Sequence, residues 1–548
     1  MLKSASHFGQ RLLARHPVGF PLLLLAVWLL LTLSWRPLAM PDEGRYASVA
    51  LEMAQSGDWT VPLINGLPFF HKPPLFYWIT AAAMKTVGNM VAASRMASAL
   101  GAWMMGAGMF MFLRRHATLR MAQWSLLVLA TLPLYFGAAQ YVNLDMLVAG
   151  LISVTILAAV HAVLQEAQGL PYRAWVWFAY VLAALGLLAK GLIGIVLPGG
   201  VLVFWLLWMR HWRGLWVLVS LPGLILLLAV GLPWFLLMEQ RYPGFLHYFF
   251  VYQHFQRFAE TGFNNQMPFW FYVPVLLVLC LPWTWRGAQA LWRQRQQVAS
   301  VNDWFQPAPL HDKTALMRLC LVWLLLILMF FSLPQSKLVG YILPVLPACA
   351  MLLTMGITGV VAKPVADASP SFLPKNPLRT AFLSGAFCVI SIVGIALFKP
   401  APGLDAASSM TSQFQREDQL VMLDEFDPDT TYYLQTSRPA WVVASFDDKT
   451  QMRKDTWRKE LWDAGQFNPA LATQTLLTFK QLRPRVCNAL QQNITLWIQG
   501  DAANMIRLYP FLGTQQPFWQ RATRKNVHTV WRLGGRSALS SAGCEWKE

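Results

Sequence analysis

MPDEGRYASVALEMAQSGDWTVPLINGLPFFHKPPLFYW, residues 40–78, follows the first long apolar run of the sequence. The stretch begins with two adjacent carboxylates, Asp42 and Glu43, and later adds His71 and Lys72 in front of two prolines. Charged side chains at the point where an apolar run ends are functional candidates, because a membrane tolerates them poorly. The stretch therefore predicts one wall of an active site at the boundary between water and lipid.

The composition of the 548-residue chain predicts a polytopic α-helical membrane protein. Hydrophobic residues make up 56% of the chain, charged residues make up 13%, and the mean hydropathy is +0.41. Soluble proteins have about 25% charged residues. The net charge of +18 fits basic cytoplasmic loops, or anionic lipid and phosphate substrates. Nucleic acid is not expected as a partner, because the basic residues are scattered over short loops.

The apolar runs predict about eleven spans, or up to about thirteen if some helices are broken, and an odd number in each case. The run at 18–35 is expected to be a retained first helix with its basic N-terminus inside. Residues 74–87 are expected to form an interfacial helix, because a span there would move the basic cluster after residue 113 outward. The remaining predicted spans are residues 92–113, 119–136, 144–163, 174–188, 191–209, 215–238, 268–285, 319–333, 338–361 and 381–398.

Two domains are predicted from the change in composition near residue 400. Residues 1–399 are expected to form a transmembrane catalytic domain, whose first outer loop, 37–91, carries an amphipathic helix at 44–56 that ends at Gly57. Residues 400–548 are expected to form a small soluble α/β domain on the outer side, with strands near 419–423, 441–444, 495–498 and 530–533. Cys487 and Cys544 in this domain either pair as a disulfide or remain free thiols.

Each of the carboxylates Asp42, Glu43 and Asp145 has a structural and a catalytic interpretation. Asp42 and Glu43 either favour a helix N-terminus through its dipole, or act as a general base, stabilise a developing oxocarbenium ion or hold a cation. Asp145, at the start of a predicted span, either caps that helix or supplies a second catalytic carboxylate. His71 together with Glu43 is a candidate metal pair.

Lysines and arginines on the predicted outer side, together with one tyrosine, form the second group of candidates. Lys72 either extends along apolar surface toward water or binds a phosphate as a point charge. The same phosphate-binding role is predicted for Arg45, Lys190, Arg257, Lys337 and Tyr341.

The predicted outer location limits the chemistry. Nucleotide sugars and ATP are absent from that side of a membrane, so a transferase there would take its donor from the lipid, and a sugar on a polyprenyl phosphate fits. Basic side chains would hold the leaving phosphate, while carboxylates face the sugar. A lipid transporter is the remote alternative, although the charges gather at one face and no inverted repeat is visible.

The adjacent acidic pair with Arg45 and Tyr46, the G-D-W-x-V-P-x-x-N-G-x-x-x-F-x-K-P-P-L-x-Y-W pattern over residues 57–78, and Asp145 after Tyr141 carry a resemblance. The chain resembles the bacterial lipid A 4-amino-4-deoxy-L-arabinose transferases. These are GT-C integral-membrane glycosyltransferases related to protein O-mannosyltransferases. The resemblance covers residues 1–400 and the size and placement of the C-terminal domain.

The resemblance implies inverting transfer of aminoarabinose from undecaprenyl phosphate to lipid A phosphate, at the periplasmic face of the bacterial inner membrane. It matches Asp42 and Asp145 to the acidic site positions and Lys72 to the lysine at the donor phosphate, assisted by Arg257. One departure is His71, where family members often have Glu, and this leaves a divalent cation open. No cofactor is required, and a monomer is expected. The alternative is transfer of another sugar, for example mannose, to protein or polysaccharide.

Overall fold

The computed structural model describes residues 15–256, 265–294, 306–358, 377–522 and 527–535, together with residues 538, 539, 542 and 544. The chain divides into two compact units, each assembled from separate segments. The first unit comprises Met1–Arg36, Arg95–Arg241 and Asn265–Leu397, and the second comprises Pro37–Ser94, Tyr242–Asn264 and Phe398–Glu548. This division differs from the predicted boundary near residue 400, because residues 37–94 cluster with the C-terminal segment.

The first unit is helical throughout the part that the structure describes. Most of its helices are apolar over their whole length, as expected for segments that face lipid on one side and protein on the other. Its helices are Gly19–Leu30, Met90–His116 (which starts in the second unit), Leu119–Ala130, Pro133–Ala139, Leu144–Ala167, Arg173–Lys190, Ile193–Trp208, Trp212–Leu218, Leu221–Gly231, Pro233–Arg241, Tyr272–Leu279, Trp283–Gln294, Lys313–Ser332, the 3-10 helix Val339–Val345, Leu346–Ile357 and Pro377–Phe398.

Seven helices in the described residues are long and apolar enough to cross a membrane, or eight if one bent pair counts as a single span. The predicted helical membrane class is confirmed, but the number of full-length spans is lower than the predicted eleven to thirteen. Proline explains part of the difference, because it lacks the N–H that a helix interior needs. Residues 119–139 bend by 67° before Pro133, and residues 268–285 break before Pro282. Gly19–Leu30 and Ile193–Trp208 are apolar but shorter.

Glycines bring two pairs of helices in the first unit into backbone contact. A Cβ at Gly150 would lie 2.2 Å from the carbonyl oxygen of Gly101, and a Cβ at Gly194 would lie 2.4 Å from the carbonyl carbon of Gly186. Small residues at such crossings are the usual way in which membrane helices gain packing contacts. The second crossing holds the end of Arg173–Lys190, and therefore Lys190, in a fixed position.

The juxtamembrane part of the second unit contains short elements. The predicted amphipathic helix is confirmed as Asp42–Ser56, and it ends at Gly57, whose φ of 73° favours glycine. A hairpin of β1 (Leu63–Ile64) and β2 (Leu67–Pro68) follows, and then Leu75–Thr86. That helix has 12 residues, too few to cross a bilayer, as predicted. The π-helix His247–Gln256 belongs to the same unit.

The C-terminal segment forms a mixed six-stranded sheet with strand order β5-β4-β3-β6-β8-β7. The first four strands in that order are parallel, and β8 and β7 are antiparallel to their neighbours. This confirms the predicted α/β character. The strands are β3 (Gln419–Leu423), β4 (Trp441–Val443), β5 (Leu476–Leu477), β6 (Leu496–Asp501), β7 (Trp519–Ala522) and β8 (Val527–Leu533).

Helices cover both faces of the sheet, because the central parallel strands alternate apolar side chains toward two separate cores. One core contains Val421 and Ile498, and the other contains Met422 and Trp497. The helices are Pro402–Met410, Pro428–Leu434, Trp457–Gln466, Pro469–Thr475, Phe479–Gln491 and Ala502–Leu508, with 3-10 turns at Gln451–Arg453 and Pro510–Thr514.

Cys487 and Cys544 form a disulfide, which answers the question that the sequence left open. Their Cα atoms are 5.5 Å apart, and the bond ties the helix Phe479–Gln491 to the end of the chain. The other four cysteines are buried free thiols in the first unit, as expected of packing residues.

Candidate active site

The helix Asp42–Ser56 determines how the three charged residues of the DEGR motif point. Residues three apart lie on one face of a helix, so Asp42 and Arg45 meet, and the intervening Glu43 turns toward the interior. The Arg45 guanidinium donates to the Asp42 carboxylate at 2.6 Å. Glu43 is fully buried, and its Oε2 accepts the backbone N–H of Ala39 at 2.8 Å. Glu43 therefore fixes the start of the helix, while Asp42 remains partly exposed.

Four charged or titratable side chains of the second unit form a continuous group around Arg45, here called the Arg45 cluster: Asp42, Arg45, His71 and Glu460. Nη1 of Arg45 lies 2.9 Å from both carboxylate oxygens of Glu460. Oε1 of Glu460 is also 3.3 Å from Nδ1 of His71. The cluster joins the predicted site residues Asp42, Arg45 and His71 through Glu460, which was not among the residues predicted from the sequence.

The surroundings of Arg45 keep its charge in place. Burial by itself lowers the pKa of Arg45, but the nearby carboxylates of Glu460 and Asp42 and the Tyr46 hydroxyl raise it well above its usual value. The guanidinium also lies over the Tyr46 ring, 4.9 Å from the centroid. Burial raises the pKa of the neighbouring Tyr77 well above its usual value, so this phenol stays protonated at neutral pH.

His71 and Lys72 occupy the turn between the hairpin and the helix Leu75–Thr86. The His71 ring stacks on Phe69, with centroids 4.9 Å apart, and its other neighbour is the Tyr248 ring at 6.0 Å. Pro73 and Pro74 follow immediately and restrict the backbone. Lys72 is partly exposed, and its contact with the donor phosphate remains a prediction.

The hairpin that leads into this turn is anchored from the helix Asp42–Ser56. The Glu52 carboxylate accepts the backbone N–H groups of Asn65 and Gly66, at 2.7 and 2.9 Å. Both residues have positive φ, 52° and 76°, which explains the Asn-Gly pair in the motif. Trp78 closes the far end by donating its indole N–H to the carbonyl of Trp59 at 2.5 Å. The motif residues are thus largely those that hold the His71 turn.

A second charged group lies within the first unit and is here called the Asp145 cluster: Asp145, Lys190 and Tyr341. The Lys190 ammonium contacts Oδ1 of Asp145 and lies 4.5 Å from the Tyr341 ring centroid. The backbone N–H of Asp145 donates to the Asn143 side chain at 3.0 Å, so Asn143 is the residue that caps this helix. Asp145 is therefore left to pair with Lys190.

Gly340 and Lys337 shape the segment that faces Asp145. A Cβ on Gly340 would lie 2.2 Å from Oδ2 of Asp145, so only glycine leaves room for the carboxylate. Lys337 is buried, and its ammonium donates to the carbonyl oxygens of Met267, at 2.9 Å, and of Pro334. Its charge ties two chain segments together in this structure, while the predicted phosphate contact of Lys337 remains a prediction.

The structure thus groups the predicted residues into two sets, each within its own unit. Arg257 lies outside the described residues. In the described part of the chain, no group of three or more His, Cys, Asp or Glu side chains has the arrangement of a metal site. His71 contacts Glu460 there, and Glu43 bonds to the Ala39 backbone, so their proposed joint metal role remains a prediction.

Comparison with known proteins finds similarity in sequence and in structure. A sequence model of the family described as dolichyl-phosphate-mannose-protein mannosyltransferase matches residues 19–249. A protein of Aeromonas hydrophila named undecaprenyl phosphate-alpha-4-amino-4-deoxy-L-arabinose arabinosyl transferase is 31% identical over 380 residues, which are 68% of this chain and 64% of that protein. A Pseudomonas aeruginosa protein of the same name is 34% identical over 344 residues, 62% of this chain and 59% of its own. The matches cover less than two thirds of these curated relatives.

Solved structures share the fold over nearly the whole chain. ArnT from Cupriavidus metallidurans, in a crystal structure bound to undecaprenyl phosphate, superposes with a TM-score of 0.72 at 24% identity, covering 94% of this chain and 97% of that one. An oligosaccharyltransferase of Archaeoglobus fulgidus gives a TM-score of 0.53 at 11% identity, covering 97% and 78%.

A helical membrane protein with this C-terminal sheet and these acidic and basic clusters has the fold of the GT-C membrane glycosyltransferases. Within that class, the sequence matches name a narrower group. The chain is similar in sequence to proteins named undecaprenyl phosphate-aminoarabinose arabinosyl transferase, so the resemblance noted from its motifs is confirmed.

Proposed function

We propose that the protein transfers 4-amino-4-deoxy-L-arabinose from undecaprenyl phosphate to a phosphate group of lipid A, with inversion at the sugar carbon. The observation that carries the proposal is the Arg45 cluster, whose His71 directly precedes Lys72, in a chain that is similar in sequence to relatives of that name. It combines carboxylates that can face a sugar with a cation that can face a phosphate. Undecaprenyl phosphate, which is bound in the related ArnT crystal structure, supports the same donor.

The reaction needs charge placement more than proton transfer. The bond between the anomeric carbon and the donor phosphate oxygen breaks, and its electron pair leaves with undecaprenyl phosphate. An oxygen of the acceptor phosphate forms the new bond from the opposite side. Because that oxygen is already anionic, no strong general base is required. Asp42 would stabilise positive charge on the sugar, while Lys72 would stabilise the leaving phosphate. Asp145 is the second carboxylate that we propose for the reaction.

We further propose that the protein acts as a monomer in the bacterial inner membrane, with Asp42 and the C-terminal sheet on the periplasmic side. Basic residues near the ends of several helices, such as Arg114 and Arg115, support this orientation through the positive-inside rule. Reporter fusions after residues 60 and 450 test it. Activity of a periplasm-dependent reporter at both points is expected, and a cytoplasmic signal at either would contradict the orientation.

Transfer in a purified system tests the function itself. The wild type in detergent or nanodiscs is incubated with undecaprenyl phosphate-aminoarabinose and lipid A, and the product is read by its mass. Asp42→Ala and Lys72→Ala are expected to lose nearly all activity. The matched controls Asp447→Ala and Lys449→Ala remove the same residue types from an exposed turn and are expected to retain it. Full activity of both site variants would contradict the assignment.

A second candidate function has one specific observation in its favour. The family model over residues 19–249 is described by mannose transfer to protein from a dolichyl phosphate donor. The same purified protein should therefore be offered a polyprenyl phosphate-mannose donor and a protein acceptor. Mannosylated protein with no modified lipid A would favour this alternative, because the two reactions share the donor phosphate but differ in sugar and acceptor.

A further inference from the structure

The C-terminal segment contributes one side chain to the Arg45 cluster. Glu460 lies in the first turn of the helix Trp457–Gln466, and only 11% of its side chain is exposed. Its two oxygens both accept from Arg45, and one of them also contacts His71. Glu460 therefore contacts two residues of the juxtamembrane segment, and it reaches Asp42 through the shared guanidinium.

Two basic residues directly before Glu460 connect its helix to neighbouring segments. Arg458 donates to Asp424, directly after β3, at 2.7 Å. Lys459 bonds to both oxygens of Asp463 at 3.1 Å, and its ammonium lies 4.9 Å from the Tyr252 ring centroid. The Arg458–Asp424 contact ties the start of this helix to the end of β3, which limits how far Glu460 can move relative to the sheet.

Two consequences follow from the contacts of Glu460. Arg45 is shared between two carboxylates, so its guanidinium can hold Asp42 in a defined rotamer without pairing with it alone. The carboxylate also lies 3.3 Å from Nδ1 of His71, so it favours a proton on that nitrogen and orients the ring. A ring oriented in this way also fixes the backbone turn from which Lys72 extends.

We propose that Glu460 is a positioning residue for the transfer reaction, which orients Asp42 through Arg45 and orients the His71-Lys72 turn directly. The proposal rests on the proposed function. The contacts of Glu460 end on side chains assigned to the reaction and not on the hydrophobic core of the sheet. The C-terminal segment therefore supplies a side chain that positions residues assigned to the reaction.

Glu460→Gln provides the main test, because it keeps the shape of the side chain and removes its charge. The matched control is Glu417→Gln, the same change at an exposed position before β3. Transfer from undecaprenyl phosphate-aminoarabinose to lipid A is measured with kcat and KM for the donor determined separately. We expect kcat to fall by about tenfold or more, with KM changing by less than about threefold, because misplaced groups slow the reaction without removing the donor contacts.

The pH profile separates positioning from a purely structural role. Titratable or charged side chains near His71 include Tyr248, whose ring lies 6.0 Å from the imidazole, and Arg45, which shares the Glu460 carboxylate with His71. Loss of the Glu460 charge disfavours the imidazolium, so any limb of the profile due to His71 should move to lower pH in Glu460→Gln. Glu460→Asp, which retains the charge, should recover part of kcat and the original limb.

A measurement on His71 itself tests its contact with Glu460, whatever sugar the protein transfers. NMR titration of isotope-labelled histidine in wild type, Glu460→Gln and the control reports whether the imidazole titrates at lower pH without the carboxylate. If the wild type does not transfer aminoarabinose but the His71 shift is present, the proposed function fails and the positioning contact stands. A folded Glu460→Gln with the kinetics and His71 titration of the control would overturn the positioning role.

Discussion

The side-chain amide of Asn65 forms two hydrogen bonds with the backbone of Ala440. Nδ2 of Asn65 donates to the carbonyl at 2.9 Å, and its Oδ1 accepts the backbone N–H at 2.7 Å. Ala440 lies directly before β4, so the amide imitates a strand neighbour at the start of that strand. One residue of the juxtamembrane hairpin therefore attaches the His71 turn to the sheet, 375 residues later in the chain.

Asn65→Gly should weaken this attachment. Glycine tolerates the positive φ at this position, so the change removes the two amide hydrogen bonds without adding backbone strain. Leaving the buried backbone groups of Ala440 unpaired should lower the free energy of unfolding by about 2 kcal/mol. Thermal unfolding of the purified protein measures the effect, with Asn493→Gly as control, because Asn493 is exposed and also has a positive φ, 58°. Equal melting temperatures for the two variants would contradict the role given to the amide.

Buried carboxylates next to β3 should make the protein less stable as the pH rises. Burial and the charge of Asp427 raise the pKa of Glu425 to about 8, and burial with Asp427 and Glu43 raises that of Asp429 to about 8. The folded state therefore holds protons that the unfolded chain has already lost above about pH 4.5. The contribution of these two groups to stability is fully present below that pH and is lost as the pH rises toward 8.

Asp429→Asn tests this dependence, because Oδ1 of Asp429 is buried without a hydrogen-bond partner among the described residues. The uncharged amide should increase the free energy of unfolding at pH 8.5 by more than about 1 kcal/mol and change it much less at pH 5.5. Melting temperatures across that range are compared with the exposed Asp447→Asn. A variant that follows the wild-type pH dependence would show that Asp429 keeps its charge in the folded protein.

Parts of the fold could be predicted from local sequence. Helix Asp42–Ser56 follows from its apolar spacing and from Gly57, and β3 has the predicted bounds, since four of its five residues are apolar. The ion pair of Asp42 and Arg45 also follows from helical geometry. Glu460 could not be found in this way, since it is 415 residues from Arg45 and an acidic residue in a first turn is already explained by the helix dipole.

Asp42→Asn should reduce transfer strongly while adding no new pH dependence. The carboxylate is expected to stabilise charge and orient groups, because a phosphate acceptor needs no deprotonation by a base. We therefore expect the residual activity of the variant to follow the wild-type profile between pH 6 and 8. The comparison uses kcat at each pH with saturating donor. Loss of a steep carboxylate limb in the variant would instead identify Asp42 as a general base, as transfer to a hydroxyl acceptor would require.

Asp145→Asn should cost both stability and activity. Asp145 and Lys190 have side chains that are 5% and 13% exposed, so removing one charge leaves the other poorly solvated. Breaking such a pair costs about 3–5 kcal/mol, and the double variant Asp145→Asn with Lys190→Met should recover most of the stability but none of the transfer. Glu166→Gln is the control, since its partner Arg213 is 80% exposed. Recovery of activity in the double variant would show that the pair is only structural.

Gly340→Ala should impair the Asp145 cluster without removing any of its charges. The added Cβ would come within 2.2 Å of Oδ2 of Asp145, so the carboxylate must turn away and loosen its contact with Lys190. Displacement of a reacting group by about 1 Å can slow a reaction by about a hundredfold, and we expect a loss of that order in kcat. Gly394→Ala is the matched control, because nothing lies within 4 Å of a Cβ there. Equal activity of the two alanine variants would show that transfer does not depend on the position of the Asp145 carboxylate.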